Sequence, residues 1–301
     1  MNKWLNKNIP DLTGQTAIVT GGSSGLGFFT AKGLAARGAN VIIASHNAEK
    51  GLEAINKIKK DFPECKISFE KLDLADKNSI ADFASKIKKQ FKKLDILVCN
   101  AGIMMPKDRQ LTNYGVESQF GVNYLGHFML TNQLLPLLKT AKGRVATVSS
   151  MANNPKKFDL DDTITKNKYY PFRLYSLSKL ASLMFALELD RRSKQNNWGI
   201  SAVPIHPGLV RTKLFSHSSH PFVVFSFIGA KIPIIGMSSA YASRILLFAV
   251  ASKKAKSGVY YGPLLYLMGS VRKAKISKQA QDLKKRQELW RFSEKVTKQL
   301  F

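Results

Sequence analysis

A glycine-rich turn directly after the first apolar strand constrains this chain more than any other feature. Ala17-Ile18-Val19 runs into Thr20-Gly21-Gly22-Ser23-Ser24-Gly25-Leu26-Gly27, and a helical pattern follows over about 25–37. Glycines permit the tight turn and let the backbone approach a pyrophosphate, whose charge rests on free N–H groups at the helix N-terminus. Such a string in isolation is weak evidence; its position between a strand and a helix gives it weight. The rest of the chain repeats the alternation. Strand-length apolar runs over 40–45, 66–72, 94–99, 144–149 and 200–205 are separated by helical patterns ending near 60 and over 80–91, 116–139 and 174–194. Val259-Tyr260-Tyr261 adds a short seventh strand. Continuous rather than alternating apolar strands predict a parallel sheet covered on both faces.

The expected architecture is therefore α/β, a Rossmann-like doubly wound parallel sheet of about seven strands with helices on both faces. No internal repeat or Pro/Ser-rich linker divides the chain, so 1–301 reads as one dinucleotide-binding domain. It carries a less regular insertion near 213–237 and a basic helical tail near 277–299. Cys65 and Cys99 cannot build a disulfide framework, and Cys99 lies in an apolar run that suits a buried thiol. That usage fits a reducing, cytoplasmic setting. The charged N-terminus has no apolar stretch behind it, so no secretory signal is expected. The apolar segments 221–235 and 240–251 are broken by Lys231 and Arg244 and are too short to span a bilayer.

The formal net charge is +27, and residues 251–301 hold 13 Lys/Arg against 3 Asp/Glu. Three readings stand: a solvated helical face, attraction to anionic lipid, and contact with nucleic acid or an acidic partner, nucleic acid being unlikely. Over 272–298 the basic residues interleave with Leu283, Leu289, Trp290, Phe292 and Val296. As a helix, this segment would pack its apolar stripe on the domain or dip it into a membrane interface, giving weak peripheral attachment. A homo-oligomer is left open.

The spacing T-G-x-x-x-G-x-G resembles the short-chain dehydrogenase/reductase family rather than the usual G-x-G-x-x-G. Further elements follow in that family's order: Asp73-Leu74 after the third strand, Asn100-Ala101-Gly102 after the fourth, Asn123 within Val122-Asn123-Tyr124-Leu125-Gly126-His127-Phe128, Ser149-Ser150 after the fifth, Tyr175-x-x-x-Lys179, and Pro207-Gly208 after the sixth. The resemblance covers about 14–215 well and 237–295 loosely. It implies a nicotinamide cofactor held by Gly21, Ser23, Ser24, Gly25, Leu26, Gly27, His46, Asp73, Leu74, Asn100, Ala101, Gly102, Tyr175, Lys179, Pro207, Gly208, Val210 and Thr212. NAD-using members commonly carry an acid at the end of the second strand, where a carboxylate would repel a 2′-phosphate. Here Ala44-Ser45-His46-Asn47 has none, and relatives often place Arg where His46 stands, so NADP(H) is favoured over NAD(H). Histidine departs from that pattern, being shorter and a weaker cation.

Chance alone supplies about one Tyr-x-x-x-Lys among nine tyrosines and 36 lysines in 301 residues, so the motif proves little by itself. Tyr175 is the one tyrosine with Lys at +4, and it is also in register with the glycine turn, Asn100, Asn123 and Ser150. At i and i+4 the two side chains share a helical face. Reducing a carbonyl needs a proton delivered to oxygen as hydride reaches carbon, and a Lys ammonium beside a phenol favours the phenolate this leaves. The resemblance implies Tyr175 as general acid/base, Ser150 orienting the substrate oxygen, and Asn123 holding a water that links Lys179 to a proton relay. The cofactor supplies the hydride.

Tyr175-Ser176-Leu177-Ser178-Lys179-Leu180-Ala181 and His206-Pro207-Gly208-Leu209-Val210-Arg211-Thr212, with Trp290 three residues before Ser293-Glu294, resemble the retinol-dehydrogenase-like and protochlorophyllide-reductase-like branch. The branch implies a small-molecule alcohol/carbonyl substrate of hydrophobic character. Phe222-Val223-Val224-Phe225-Ser226-Phe227-Ile228 falls where the family's substrate lid lies; a buried helix or subunit contact is the other reading. His206 reads as a packing or polar contact, Asp159, Asp161 and Asp162 as a solvated loop, and His217 and His220 lack metal-site spacing, so no metal is expected. A non-enzymatic NADP-binding regulator is the alternative. Such proteins usually lose the Tyr or Lys, whereas Ser150, Tyr175 and Lys179 stand together here.

Overall fold

The computed structural model describes residues 2–164, 168–211 and 236–301. Its centre is an eight-stranded sheet. β1 (Thr16–Thr20) lies beside β2 (Asn40–Ser45), with β3 (Ile67–Lys71) outside it. On the other flank come β4 (Ile96–Cys99), β5 (Arg144–Val148) and β6 (Ser201–Ile205), then two short edge strands described below. Every pair from β3 across to β6 is parallel. The chain winds outward from β1 in one direction, then returns to wind outward from β4 in the other. That reversal places a crevice between the carboxyl ends of β1 and β4.

The apolar strand runs are buried on both faces, as their lack of alternation predicted. Ile18, Ile42, Leu97 and Val145 point into one core. Ala17, Val19, Val41, Ile43 and Val98 point into the other. The second face is covered by α1 (Asn2–Asn8), α2 (Gly25–Ala35) and α3 (Ala48–Asp61). The first is covered by α4 (Lys77–Gln90) and by a helix expected to run unbroken over 116–139. That helix is interrupted: α5 (Ser118–Phe120) passes through a π-type turn, Gly121–Leu125, into α6 (Gly126–Gln133), and α7 (Leu135–Ala141) follows. Pro136 at the start of α7 suits a fresh helix start rather than a helix interior. α8 (Pro171–Gln195) crosses the same face, and α9 (Ser239–Ala251) completes the second layer.

Two expectations change, and a third falls outside the described residues. The two-stranded pairing of β7 (Val210–Arg211) with β8 (Met237–Ser238) brackets the insertion, whose residues 212–235, including Thr212 and the apolar run from Phe222, lie outside the described residues. The sheet gains one strand beyond the expected seven: β9 (Tyr261–Pro263) pairs antiparallel with β10 (Val271–Lys273). The tail is two helices, α10 (Lys278–Gln281) and α11 (Leu283–Thr297), with Asp282 capping the second by accepting from Lys285 N.

Of the two fates open to the tail's apolar stripe, packing on the domain is the one adopted. Leu289 and Trp290 are each 1% exposed, and Phe292 and Val296 pack against the same core. The final residue, Phe301, closes on Trp290 with ring centroids 4.7 Å apart, and Arg192 of α8 lies 4.2 Å over the indole. Among the described residues no helix is long and apolar enough to cross a membrane.

Candidate active site

At the crevice the chain turns sharply after Thr20. Gly21 and Gly25 have φ of +63° and +54°, which favours glycine. Gly27 is constrained by space: a Cβ there would lie 2.3 Å from the Gly21 carbonyl oxygen and 2.5 Å from Asn100 Nδ2. Ser24 stands at the N-cap of α2 yet makes no capping hydrogen bond, and the first turn carries no acid. The N–H groups of that turn therefore remain available, and a pyrophosphate fits the cradle.

Asn100 braces the turn from β4. Its Nδ2 donates to Thr20 O at 2.8 Å, and the backbone N–H groups of Asn100 and Ala101 both reach Thr20 Oγ1, at 2.9 and 3.0 Å. The same hydroxyl lies 2.8 Å from His127 Nε2, while His127 Nδ1 is 3.1 Å from Asn123 O. A carbonyl can only accept, so Nδ1 carries the proton and Nε2 is an acceptor, sharing the Thr20 hydroxyl proton with Val98 O at 3.1 Å. Burial pushes the imidazole down to about 4, which keeps it neutral. Thr20 and His127 thus join the cofactor turn to the helix bearing Asn123. Sequence reasoning missed this link, although His127 stands four residues after Asn123 and so on the same helical face.

Asn123, in the π-type turn, has protein partners for both polar atoms of its side chain. Its Oδ1 accepts from Ile103 N at 2.8 Å, and its Nδ2 donates to Ile103 O at 3.0 Å and Ser178 Oγ at 2.9 Å. It clamps the chain just beyond Gly102 to α8, and Oδ1 keeps a second lone pair besides the one that Ile103 N occupies. Gly102 leaves room between the two: a Cβ there would meet Asn123 Oδ1 at 2.9 Å and Lys179 Nζ at 3.6 Å.

The end of β5 is stitched to α8 by Thr147 Oγ1 to Ser182 O, 2.9 Å, and Ser149 Oγ to Lys179 O, 2.7 Å. Lys179 Nζ donates back to Val148 O at 3.0 Å and lies 5.8 Å from the Tyr175 ring centroid. Lys179 is 5% exposed, and burial lowers its pKa to about 8. Tyr175, also 5% exposed, is pushed up to about 12 by burial, opposed by its hydrogen bond with Ser150. The chain's own groups therefore keep Tyr175 a phenol at neutral pH. Ser150 Oγ also accepts from Ala152 N at 3.1 Å.

Tyr175 belongs to a small apolar cluster with Met104 and Met105, against which Ala152 and Phe172 pack. Beside it a cleft of about 380 Å³ is lined by Tyr170, Pro171, Phe172 and Arg173. Met105 adopts a left-handed backbone, φ +47°, and its N–H donates to Gln119 Oε1 at 2.6 Å. Gln119 is fully buried, and its Nε2 donates to Pro171 O at 3.1 Å at the start of α8. One side chain thus fixes two sides of the wall around Tyr175.

The other expected residues fall around the crevice. His46 follows β2 and is exposed, between buried Ser45 and Asn47, which caps α3 by accepting from Lys50 N. Asp73 and Leu74 follow β3, where Asp73 Oδ1 accepts from Ala75 N at 2.8 Å. Pro207, Gly208 and Val210 follow β6, and Leu209 N donates to Leu267 O at 2.8 Å. His206 is fully buried between Tyr260 and Tyr266, at 5.3 and 4.9 Å, as expected of a packing residue. The acidic loop differs from expectation. Arg173 pairs with Asp159 at 3.1 Å and with Asp162 at 3.2 Å, and Asp162 is buried, so the loop is tied to α8 rather than solvated.

Comparison with known proteins agrees with this geometry. The family model for short chain dehydrogenases matches residues 15–221. Human polyprenol dehydrogenase is 39% identical over 219 residues, covering 71% of this chain and 66% of that protein. Human retinol dehydrogenase 12 is 40% identical over 210 residues, covering 69% of this chain and 65% of that protein. The matched region thus spans slightly less than two thirds of either relative. The crystal structure of an uncharacterised Mycobacterium paratuberculosis protein superposes with a TM-score of 0.80 at 34% identity, covering 98% of this chain and 97% of that one. The chain belongs to the short-chain dehydrogenase/reductase family of NAD(P)-dependent oxidoreductases, in its retinol-dehydrogenase-like branch.

Proposed function

We propose that the chain interconverts an apolar alcohol and its carbonyl with NADP(H) as cofactor, Tyr175 serving as general acid/base. The observation that carries this reading is the convergence of Tyr175, Lys179 and Ser150 beside the glycine cradle, with Met104, Met105, Ala152 and Phe172 forming an apolar wall around the phenol. When bound, the nicotinamide supplies the hydride, and its oxidised form adds a positive charge that favours phenolate. The cradle of Gly21 to Gly27 and the uncapped start of α2 hold the pyrophosphate, Asp73 and Leu74 flank the adenine side, and Asn100, Ala101, Gly102, Pro207, Gly208 and Val210 line the nicotinamide side.

Ser150 orients the substrate oxygen toward Tyr175, which delivers the proton. Lys179 stabilises the phenolate left behind and, as in the family, also reaches the nicotinamide ribose. Asn123 is a positioning residue here, holding the Gly102 segment against α8. The preference for NADP(H) rests on Ser45-His46-Asn47, which offers no carboxylate to repel a 2′-phosphate. The names of the human relatives, a polyprenol and a retinol dehydrogenase, support an apolar alcohol. A panel of apolar and polar carbonyls, followed by loss of NADPH absorbance, tests the proposal. Turnover of apolar members is expected; cofactor binding without turnover of any member would favour the non-enzymatic reading.

A further inference from the structure

Among the described residues, one run of consecutive large apolar side chains stands at the surface. Leu264, Leu265, Tyr266 and Leu267, between β9 and β10, are 55, 68, 48 and 40% exposed. The loop is a built turn. Leu264 N donates to Ser270 O at 2.8 Å, Leu265 N to Met268 O at 3.0 Å and Tyr266 N to Pro263 O at 3.0 Å. It is also moored to the active site, because Tyr266 Oη donates to Met151 O at 3.2 Å, one residue after Ser150, and Leu267 O accepts from Leu209 N. The leucines are thus held outward by backbone that is fixed.

The charge beneath this tip is of one sign. Residues 262–281 contain Arg272, Lys273, Lys275 and Lys278 and no Asp or Glu. All four are exposed, as is Lys156 from the neighbouring segment, whose Pro155 carbonyl accepts from Gln279 Nε2 at 2.6 Å. Among the described residues none of these five forms an ion pair. At about 3.3 Å per residue, Arg272 and Lys273 sit roughly 7 and 10 Å along the strand from the loop's base at Ser270. An interfacial apolar element settles about 5–10 Å into the boundary between headgroups and acyl chains. Arg272 and Lys273 therefore lie on the headgroup side of the leucines when the loop enters the chains.

We propose that the 264–267 loop seats this protein on an anionic lipid bilayer, with Arg272, Lys273, Lys275, Lys278 and Lys156 as its headgroup collar. The apolar stripe of α11 is spent on the core, so the lipid-contacting element is this loop and not the tail helix. Seated so, the loop that grips the Met151 carbonyl, one residue after Ser150, holds that end of the site close to the bilayer, the reservoir of an apolar substrate. That consequence rests on the proposed function; the docking does not.

Sedimentation with vesicles of phosphatidylcholine alone and of phosphatidylcholine with phosphatidylserine tests it, with duplex DNA as a competing polyanion. Wild-type protein is expected to sediment with the serine-containing vesicles and to be released by salt. Leu264→Ser/Leu265→Ser should weaken binding about tenfold or more per leucine, and Arg272→Gln/Lys273→Gln about fivefold per cation. An unchanged melting temperature and NADPH affinity in each variant show that the fold survives, whatever the fate of the activity assay. In Leu265→Trp protein, brominated lipid should quench the added fluorescence. The proposal is overturned if wild-type protein stays in the supernatant at low salt, if the leucine variant sediments like wild type, or if DNA displaces the protein and the leucines prove irrelevant.

Discussion

The two sides of the crevice are built by different means. On the cofactor side the constraints fall on the backbone: Gly27 has no room for a Cβ, and the Thr20 hydroxyl and the Asn100 amide pin main-chain groups of Thr20, Asn100 and Ala101. On the substrate side the wall is side-chain surface brought from three places in the sequence, Met104 and Met105, Ala152, and Phe172. The first kind of construction tolerates little variation because the cofactor phosphates demand close backbone approach. The second can change its lining without disturbing the sheet. The proposed catalytic pair sits at the seam, where α8 carries Tyr175 into the wall and Lys179 toward the cradle.

The largest expected effect falls on that seam. Tyr175→Phe removes the proton donor and little of the ring, so turnover should fall by about 10²–10⁴ while NADPH affinity stays near wild type. Lys179→Ala should damage both. Substantial turnover by pure Tyr175→Phe protein would show that the proton comes from elsewhere. Because burial lowers Lys179 to about 8, its charge is present below that pH and lost above it. Carbonyl reduction should accordingly hold steady toward pH 8 and decline beyond, and a flat profile through pH 10 would remove Lys179 from the electrostatics.

Gly27→Ala strikes the cofactor side alone. The new methyl meets the Gly21 carbonyl at 2.3 Å, so the turn must shift by a substantial fraction of an ångström. A displacement of that order costs about 100-fold in a well-aligned site. Cofactor titration should show weaker NADPH binding of that size, with NADH weakened in parallel. Wild-type affinity in this variant would mean that the cradle is softer than the backbone contacts imply.

The same division decides what could be read in the sequence. The glycine turn, the strand segments and the Tyr175–Lys179 pair were legible because each is written within a few adjacent residues. The π-type turn at Gly121–Leu125 was not, since nothing in Val122 to Phe128 breaks an α-helical pattern; the Asn123 and His127 contacts with distant partners settle it. The left-handed Met105 was invisible for a related reason. Only a partner 14 residues away, Gln119, holds it there. The tail's charge was legible, but the covering of its apolar stripe by α8 and Phe301 depends on packing alone.

Gln119 gives the substrate side its own test. Gln119→Ala leaves the buried Met105 N–H without its acceptor, at a cost of about 1–3 kcal/mol, and frees the wall on both flanks of Tyr175. KM for apolar carbonyls should rise roughly tenfold, while NADPH affinity is spared. Gln119→Glu keeps an acceptor for Met105 but sets a carboxylate against Glu117 and the Pro171 carbonyl, and should not recover the loss. Equal damage to cofactor binding would erase the distinction between the two sides.

The smallest expected effect concerns His46, at the far end of the cofactor side. It is exposed after β2, so in the proposed cofactor site it would contribute hydrogen bonding rather than shape. Lys71 stands opposite Ser45 in the parallel register of β3, which puts a lysine near the same strand end. Wild-type protein should therefore bind NADPH more tightly than NADH. His46→Glu places a carboxylate where the 2′-phosphate would lie, and like charges about 4 Å apart in water cost on the order of 1 kcal/mol, about fivefold. NADPH should weaken by that factor, NADH should hold or improve, and added salt should narrow the gap. Titrating both cofactors into both proteins decides the matter. Equal affinities in the wild type, or an unchanged ratio in the variant, would locate cofactor choice away from this strand end.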